Sequence, residues 1–141
     1  MENIEIKFIP KKNIEIILPL LKKLNEFTSE KVLKSRVHEM VEQNYKCLGV
    51  YYNEELVGIC GLWFLTRHYS GKTIEPDHVI VDPKFRNLGI GKKLFEFIHN
   101  HAKSIGYEAI ELNTYIANTK SHTFYEKLAY KKLGFHYLKI F

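Results

Sequence analysis

Residues 79–91 read Val79-Ile80-Val81-Asp82-Pro83-Lys84-Phe85-Arg86-Asn87-Leu88-Gly89-Ile90-Gly91, an apolar run and a turn that lead into a helix start. The apolar run predicts a strand, and the periodicity after it predicts an amphipathic helix to about residue 104. The first backbone N–H groups of such a helix have no intrahelical partner, and the helix dipole adds positive potential there. Glycine lets a ligand approach the backbone closely. The stretch therefore predicts an anion site suited to a phosphate-bearing cofactor.

Two better-known phosphate-binding patterns do not fit this stretch. It is not the dinucleotide fingerprint G-x-G-x-x-G, because the third glycine is missing and no early βαβ unit precedes it. It is not a Walker A loop, because G-x-x-x-x-G-K-[ST] is absent. Paired glycines also begin helices for steric reasons alone, so the rest of the chain has to decide between a phosphate site and a merely structural turn.

Length and composition suggest one globular domain over residues 1–141, with 45% hydrophobic residues available for a core. No apolar run approaches the roughly 20 residues that a membrane-spanning helix needs, and the first residues lack a secretory signal pattern. We therefore expect a cytoplasmic protein without a membrane partner. Cys47 and Cys60 lie in apolar segments without metal-ligand spacing, which predicts buried thiols and no metal site.

The chain carries a formal net charge of +5, which favours an anionic ligand without identifying one. Its lysines are spread along the chain in pairs, as expected for solvated faces. No aromatic-basic RNA signature or zinc-finger spacing appears, so we expect no nucleic-acid partner. A basic nucleic-acid-binding domain is kept as a third alternative, which predicts salt-sensitive binding.

Hydrophobic periodicity and turn residues predict the element order β-α-α-β-β-β-α-β-α-β-β. Hairpins pair antiparallel and helix crossovers need parallel neighbours, so the fold class is α/β with a mixed, mainly antiparallel twisted sheet flanked by helices. The predicted elements are a strand at 4–8, a helix at 14–27 with a kink or late start at Pro19, a helix capped by Ser29 to about 43, strands at 45–52 and 56–65, a loop at 66–72, a strand at 73–81, a helix at 89–104 ended by Gly106, a strand at 108–114, a helix at 118–128 and one or two closing strands at 130–141.

A second cluster of polar residues lies on the last predicted helix. Asn118 and Tyr125 are seven residues apart, so they share nearly the same helix face, with His122 between them. Asn118 can cap the helix start. For Tyr125 alone, packing on the sheet is the simpler interpretation.

The combined pattern resembles the GCN5-related N-acetyltransferase (GNAT) family, in its small bacterial-type members. The resemblance covers nearly the whole chain, since the element order matches too. One departure is Ala129-Tyr130, where the family usually has Gly-Phe. The matching motifs are Val79-Ile80-Val81-Asp82-Pro83, Arg86-x-x-Gly89-x-Gly91, Asn118 and Phe124-Tyr125-x-x-Leu128.

The resemblance implies acetyl-CoA as the acyl-donor cosubstrate. The strand at 79–81 would pair with the pantetheine arm and hold the acetyl carbonyl, while the amides at 87–92 would take the pyrophosphate. Arg86 would neutralise phosphate or tie the loop to a neighbouring acid. Asn118 would contact the cofactor near its pantetheine arm, and Tyr125 would lie beside the sulfur. The implied cofactor-binding residues are Val79, Ile80, Val81, Arg86, Asn87, Leu88, Gly89, Ile90, Gly91, Lys92 and Asn118.

Acetyl transfer to an amine needs a base for the ammonium, donors for the carbonyl oxygen and an acid for the leaving thiolate. Tyr125 is the candidate acid, because a phenol with a pKa of about 10 is protonated at neutral pH. Glu75 and Asp77 are the candidate bases, two apart on a strand and so able to share a face. We favour Glu75 slightly, and surface charge at the strand entrance is the alternative. On a regular strand His78 would point to the opposite face.

The leading hypothesis is direct acetyl transfer, in a ternary complex, to the primary amine of a small molecule. A protein or peptide amine is the alternative acceptor, and a non-catalytic acyl-CoA-binding module is the alternative from another class. A homodimer is possible, because an exposed final strand could pair across a two-fold axis. The side chains that could line an acceptor cleft are Arg36, His38, His68 and Tyr69.

Overall fold

The computed structural model describes residues 3–141, and these fall into two compact units, one ending at Glu111 and one spanning Leu112–Phe141. The single domain expected for the whole chain stays a prediction. The first unit contains β1 (Ile4–Phe8), a 3₁₀ segment (Lys11–Ile17), α1 (Leu18–Leu24), α2 (Glu30–Met40), β2 (Tyr45–Tyr52), β3 (Glu55–Arg67), β4 (Gly71–Val81), a 3₁₀ turn (Pro83–Phe85), α3 (Ile90–Ser104) and β5 (Ala109–Ile110); the second contains α4 (Thr119–Lys127).

The strands of the first unit form one sheet in the order β1-β2-β3-β4-β5. The first four pair antiparallel with their neighbours, and β5 is parallel to β4. The predicted fold class, α/β with a mixed and mainly antiparallel sheet, is confirmed. The β4–β5 pairing is short, because its register joins only Thr73 to Ala109 and Ile74 to Ile110.

Successive side chains of a strand point to opposite faces of the sheet, and both faces of this sheet carry buried side chains. One face carries Tyr45 and Ile80 and packs against the first two helices, whose core side chains include Leu21 and Val37. The other face carries Phe64, whose ring contacts His101 of α3. These layers position β4 in the middle of the unit, with β3 on one edge and β5 covering only part of the other.

Local sequence accounts for the helix boundaries. Pro19 lies in the first turn of α1, where its missing N–H has no bond to lose, which confirms the late start. The Ser29 hydroxyl accepts a hydrogen bond from the Val32 amide at 3.2 Å and caps α2. Gly106 has φ of 76° just beyond α3, the left-handed conformation that commonly ends a helix.

Two turns differ in how well they were predicted. The β2–β3 hairpin closes through Asn53 and Glu54, both with positive φ, as two-residue hairpins require. The loop predicted at 66–72 is wrong in extent, because β3 continues to Arg67 and β4 begins at Gly71. Most of that polar segment is therefore part of the paired strands.

The end of the chain departs from the prediction. The strand expected at 108–114 is reduced to β5, and the one or two strands expected at 130–141 are not formed in the described structure. Large apolar side chains in the closing segment are exposed, such as Tyr137 at 91%. Alternating apolar residues form a strand only when a partner edge supplies hydrogen bonds and burial, which periodicity alone cannot reveal.

The cysteines agree with the prediction. Cys47 and Cys60 are buried and free. Burial raises the pKa of the Cys47 thiol to about 12 and that of Cys60 well above its usual value, so both stay protonated. Within residues 3–141, no helix is both long and apolar enough to cross a membrane.

Candidate functional site

The turn after β4 is built to redirect the chain into α3. The Asp82 carboxylate accepts a hydrogen bond from the Lys84 amide at 3.0 Å and lies 3.9 Å from the Lys23 ammonium of α1. Among the described residues, Arg86 forms no ion pair, so Asp82 carries the ionic anchor of this turn. Asn87 and Gly89 then both take the left-handed conformation, with φ of 68° and 72°.

The start of α3 has the features of an anion site. Gly89 is the N-cap residue, so no capping side chain competes for the first amides of the helix. A Cβ at Gly89 would have no neighbour within 4 Å, so its positive φ, and not lack of space, is what favours glycine. The first turn has no acidic residue and carries Lys92 and Lys93 at the positive end of the helix dipole. The two lysines and the helix dipole concentrate positive charge at this point, and a bound anion would offset it.

The strand before this turn offers a backbone edge. In the register, Val79, Ile80 and Val81 pair with β3, on one side of β4 only. On the other side, β5 pairs with Thr73 and Ile74, and no strand of residues 3–141 pairs with β4 beyond that point. Unpaired N–H and C=O groups on such an edge can bind an extended ligand as an added strand.

A bulge interrupts β4 immediately before Val79. Asp77 and His78 together oppose Gly61, because the register shifts between Cys60 and Leu62. The absence of a side chain at Gly61 leaves room for the His78 ring, whose Nε2 is 2.6 Å from the Tyr45 hydroxyl. The His78 side chain therefore lies on the same face of the sheet as Tyr45. On a regular strand it would point to the opposite face.

The environments of Asp77 and His78 are opposite in character. Asp77 is exposed and accepts a hydrogen bond from the Trp63 indole N–H at 3.0 Å. Burial lowers the pKa of His78 to about 4, with the nearby charge of Asp77 acting in the other direction. His78 is consequently neutral at physiological pH, and its Nδ1 has no hydrogen-bond partner within the described residues.

Glu75, the other candidate base, belongs to a polar cluster at the junction of β3, β4 and β5. Its Oε1 lies 3.1 Å from Nη2 of Arg67, and Nε of Arg67 lies 2.5 Å from Glu111. The Tyr69 hydroxyl donates to the same Glu111 carboxylate. The sequence did not single out Arg67 or Glu111, because their proximity to Glu75 depends on which strands pair.

In the second unit, the predicted cap is present. The Asn118 side-chain oxygen accepts a hydrogen bond from the Ser121 amide at 3.2 Å at the start of α4. Tyr125 lies in the last turns of α4, and its ring is 5.8 Å from that of Tyr130. Ala129 adopts φ of 68° directly after the helix, so it occupies the position where the resemblance expects glycine.

Glu75, Asp77, the strand at 79–81 and the loop at 86–92 thus belong to the first unit, and Asn118 and Tyr125 belong to the second. Of the four candidate acceptor-cleft residues, Tyr69 joins the Glu75 cluster. His38 is instead paired with Glu15, 2.7 Å away on an exposed surface.

Comparison with known proteins identifies the family. The acetyltransferase (GNAT) family model matches residues 17–130. Glucosamine 6-phosphate N-acetyltransferase from Arabidopsis thaliana is 39% identical over 57 residues, 40% of this chain and 36% of that protein. The chain thus spans about a third of the curated relative it matches.

Solved structures agree in fold. An aminoglycoside N-acetyltransferase in complex with CoA superposes with a TM-score of 0.84 at 15% identity, covering 99% of this chain and 95% of that one. A ribosomal-protein-alanine N-acetyltransferase from Brucella melitensis biovar Abortus 2308 gives 0.81 at 19% identity, with 98% and 99% covered.

Because the family model covers most of its length, the chain belongs to the acetyltransferase (GNAT) family. Its class is that of the acetyltransferases. The resemblance to the family and the acetyltransferase class are confirmed.

Proposed function

We propose that this chain transfers the acetyl group of acetyl-CoA to the primary amine of a small molecule, directly and within a ternary complex. The start of α3 is the observation that carries the proposal. An uncapped N-terminus, two left-handed residues before it and a first turn with lysines but no acids form a cradle for a diphosphate. The amides of Asn87 to Lys92 are its proposed donors, with Arg86 adding positive charge.

The edge of β4 would hold the reactive end of the donor. Extended pantetheine can pair with the N–H and C=O groups of Val79, Ile80 and Val81 that face away from β3. A backbone N–H aimed at the acetyl oxygen would stabilise the oxyanion that forms when the amine attacks. Asn118 is proposed to contact the same arm.

The proton transfers are assigned to side chains. Glu75, or Asp77 in its place, would accept a proton from the acceptor ammonium, directly or through water, which frees the lone pair for attack. The C–N bond forms as the C–S bond breaks, and the Tyr125 hydroxyl would donate its proton to the departing thiolate. The amide nitrogen would then release its second proton, which restores the Tyr125 hydroxyl through water. Glu75 is favoured because its carboxylate is partly enclosed, 22% exposed, and is held in a fixed position by Arg67.

Matched substitutions can show whether Asp77 or Glu75 is the base. Glu75→Gln and Asp77→Asn each remove one charge and keep the side-chain shape. The variant that loses the acidic limb of the pH–rate profile identifies the base. Retention of that limb in both variants would exclude both carboxylates from the role.

The small-molecule acceptor is supported by the relatives named for aminoglycoside and glucosamine 6-phosphate acetylation. The Brucella relative, named for ribosomal-protein alanine, supports a protein or peptide amine as the second candidate. The cytoplasmic location, the homodimer and the lack of a nucleic-acid partner stay predictions.

Thiol release from acetyl-CoA tests the activity. The panel consists of kanamycin, spermidine, glucosamine 6-phosphate and a peptide with N-terminal alanine. Amine-dependent release with a small molecule supports the proposal, and release with the peptide alone moves the acceptor to the protein class. Saturable acetyl-CoA binding without release from any amine would instead indicate a non-catalytic acyl-CoA-binding module.

A further inference from the structure

Two carboxylates lie side by side where β4 and β5 separate. Glu75 and Glu111 are the residues directly after Ile74 and Ile110, the last pair in the parallel register. The Glu111 amide donates to the Ile74 carbonyl at 3.1 Å, which keeps the two strands together up to this point. Adjacent residues on parallel strands project to the same face, so the two carboxylates share one side of the sheet at the start of the free β4 edge.

Arg67 bridges these two carboxylates. Its Nε is 2.5 Å from Glu111 Oε1, and its Nη2 is 3.1 Å from Glu75 Oε1. Two like charges side by side on a sheet repel, and a planar guanidinium with several N–H groups can bind both at once. Tyr69 completes the arrangement by donating its hydroxyl to the second oxygen of Glu111, at 2.5 Å. Both oxygens of Glu111 are therefore engaged.

The charge states are set within the cluster. Burial raises the pKa of Glu111, but hydrogen bonds from Tyr69 and Arg67 outweigh it and hold the pKa below its usual value. The hydrogen bond to Glu111 is also the main cause of the raised pKa of Arg67. Glu111 is thus anionic and Arg67 cationic at neutral pH, and Glu111 is the stronger anchor of the guanidinium.

We infer that Glu111 is a positioning residue: by anchoring Arg67, with Tyr69 as a brace, it fixes the orientation and charge of the Glu75 carboxylate toward the acceptor amine. The inference rests on the proposed function of Glu75 as the base. It requires no ligand beyond the two substrates already proposed.

Other charged groups around β4 are engaged elsewhere. Asp77, two residues along, is bound by Trp63. On α1, which also packs against β4, Lys23 pairs with Asp82 beyond the far end of the strand, and the Lys22 ammonium contacts loop carbonyls, such as that of Glu26 at 2.9 Å. Arg67, which Glu111 and Tyr69 hold in place, is therefore the cation that contacts Glu75 in this cluster.

The test measures the pH midpoint of the Glu75 carboxyl carbon signal by ¹³C NMR in the folded protein, which needs no acceptor. Arg67→Met leaves two carboxylates facing each other, so the midpoint moves up by about half a pH unit or more. Glu111→Gln removes the anchor of Arg67 and so withdraws the guanidinium from Glu75, and the midpoint again moves up. The double variant moves the midpoint no further up than Arg67→Met alone, because Glu111 acts through Arg67.

Steady-state kinetics then test the functional consequence, using an amine from the panel that the protein acetylates. The acidic limb of the pH profile of kcat/KM is expected to shift in each variant as the NMR midpoint does. Arg67→Lys keeps the positive charge, so the limb that Arg67→Met displaces returns to its native position. Glu42→Gln is the matched control, because it breaks an exposed ion pair with Lys11.

Three results overturn the inference: midpoints that do not move, a downward move in Glu111→Gln, which would make Glu111 only a neighbouring charge, or a limb that persists in Glu75→Gln. The last result leaves acetyl transfer standing if thiol release continues. Failure of the proposed function appears separately, as absence of amine-dependent thiol release in a protein whose NMR midpoints still shift.

Discussion

The Tyr45 hydroxyl and the His78 ring form a buried hydrogen bond of 2.6 Å at the bulge of β4. The pair exists because Gly61, opposite the bulge, has no side chain to occupy the space that the imidazole fills. It lies directly before Val79, so it shapes the strand that is proposed to bind the pantetheine arm and the acetyl oxygen.

The buried imidazole makes stability depend on pH. The pKa of His78 is about 4 when folded and about 6.5 when unfolded, so the unfolded chain binds the extra proton. The stability from keeping His78 neutral is complete above the unfolded pKa and declines as pH falls from about 6.5 to about 4, by about 3 kcal/mol in total.

Urea unfolding at pH 7 and pH 4.5 measures this effect. His99 and His101 also have lowered pKa values, chiefly through burial, and contribute in the same direction. The decisive quantity is therefore the difference between the native protein and His78→Gln, which lacks the titrating ring. An equal pH dependence in the two proteins would show that His78 does not titrate as described.

Substitutions at Gly89 separate backbone strain from charge. Asn and Asp have similar shapes and tolerate a left-handed conformation, and both can cap a helix. Gly89→Asp should therefore fold, yet bind CoA about tenfold more weakly than Gly89→Asn, because its charge repels the diphosphate. Calorimetry compares the two, and equal affinities would contradict a diphosphate at the start of α3.

Removal of the Tyr125 hydroxyl should affect chemistry more than binding. Tyr125→Phe is expected to lower kcat by about 10²-fold, the lower range for loss of a general acid, with little change in acetyl-CoA affinity. Steady-state kinetics across pH measure it. Tyr130→Phe, which removes a hydroxyl from the neighbouring ring, is the control, and equal loss in both variants would assign the effect to packing.

The residue Ala129, at the end of α4, has a strained backbone conformation that a substitution can relieve. Ala129 has φ of 68°, while its amide and that of Tyr130 bond back to Glu126 and Tyr125 in the pattern of a helix stop. Left-handed geometry costs a residue with a Cβ about 1 kcal/mol or more, so Ala129→Gly should stabilise α4 by about 0.5–1 kcal/mol. Thermal or urea unfolding checks the direction, and a loss of stability would contradict the assigned strain.

Sequence reasoning succeeded where the signal is local. The cap at Ser29, the stop at Gly106 and the turn before α3 each depend on a few adjacent residues whose chemistry requires one conformation. The motifs shared with the family then indicated acetyl-CoA as the proposed cosubstrate.

Non-local features were missed for physical reasons. The bulge at His78 depends on Gly61 across the ladder, and the cluster around Glu75 depends on β5 ending beside it. The closing segment has the alternation of a strand without a described partner edge. Pairing between distant parts of the chain is not encoded in the periodicity of either part.

Calorimetric titration of the native protein with CoA and with acetyl-CoA tests the central claim most directly. The account predicts saturable binding of both at one site per chain, weakened in Gly89→Asp relative to Gly89→Asn. An absence of heat and of thermal stabilisation with either compound, in protein shown to be folded, would contradict it.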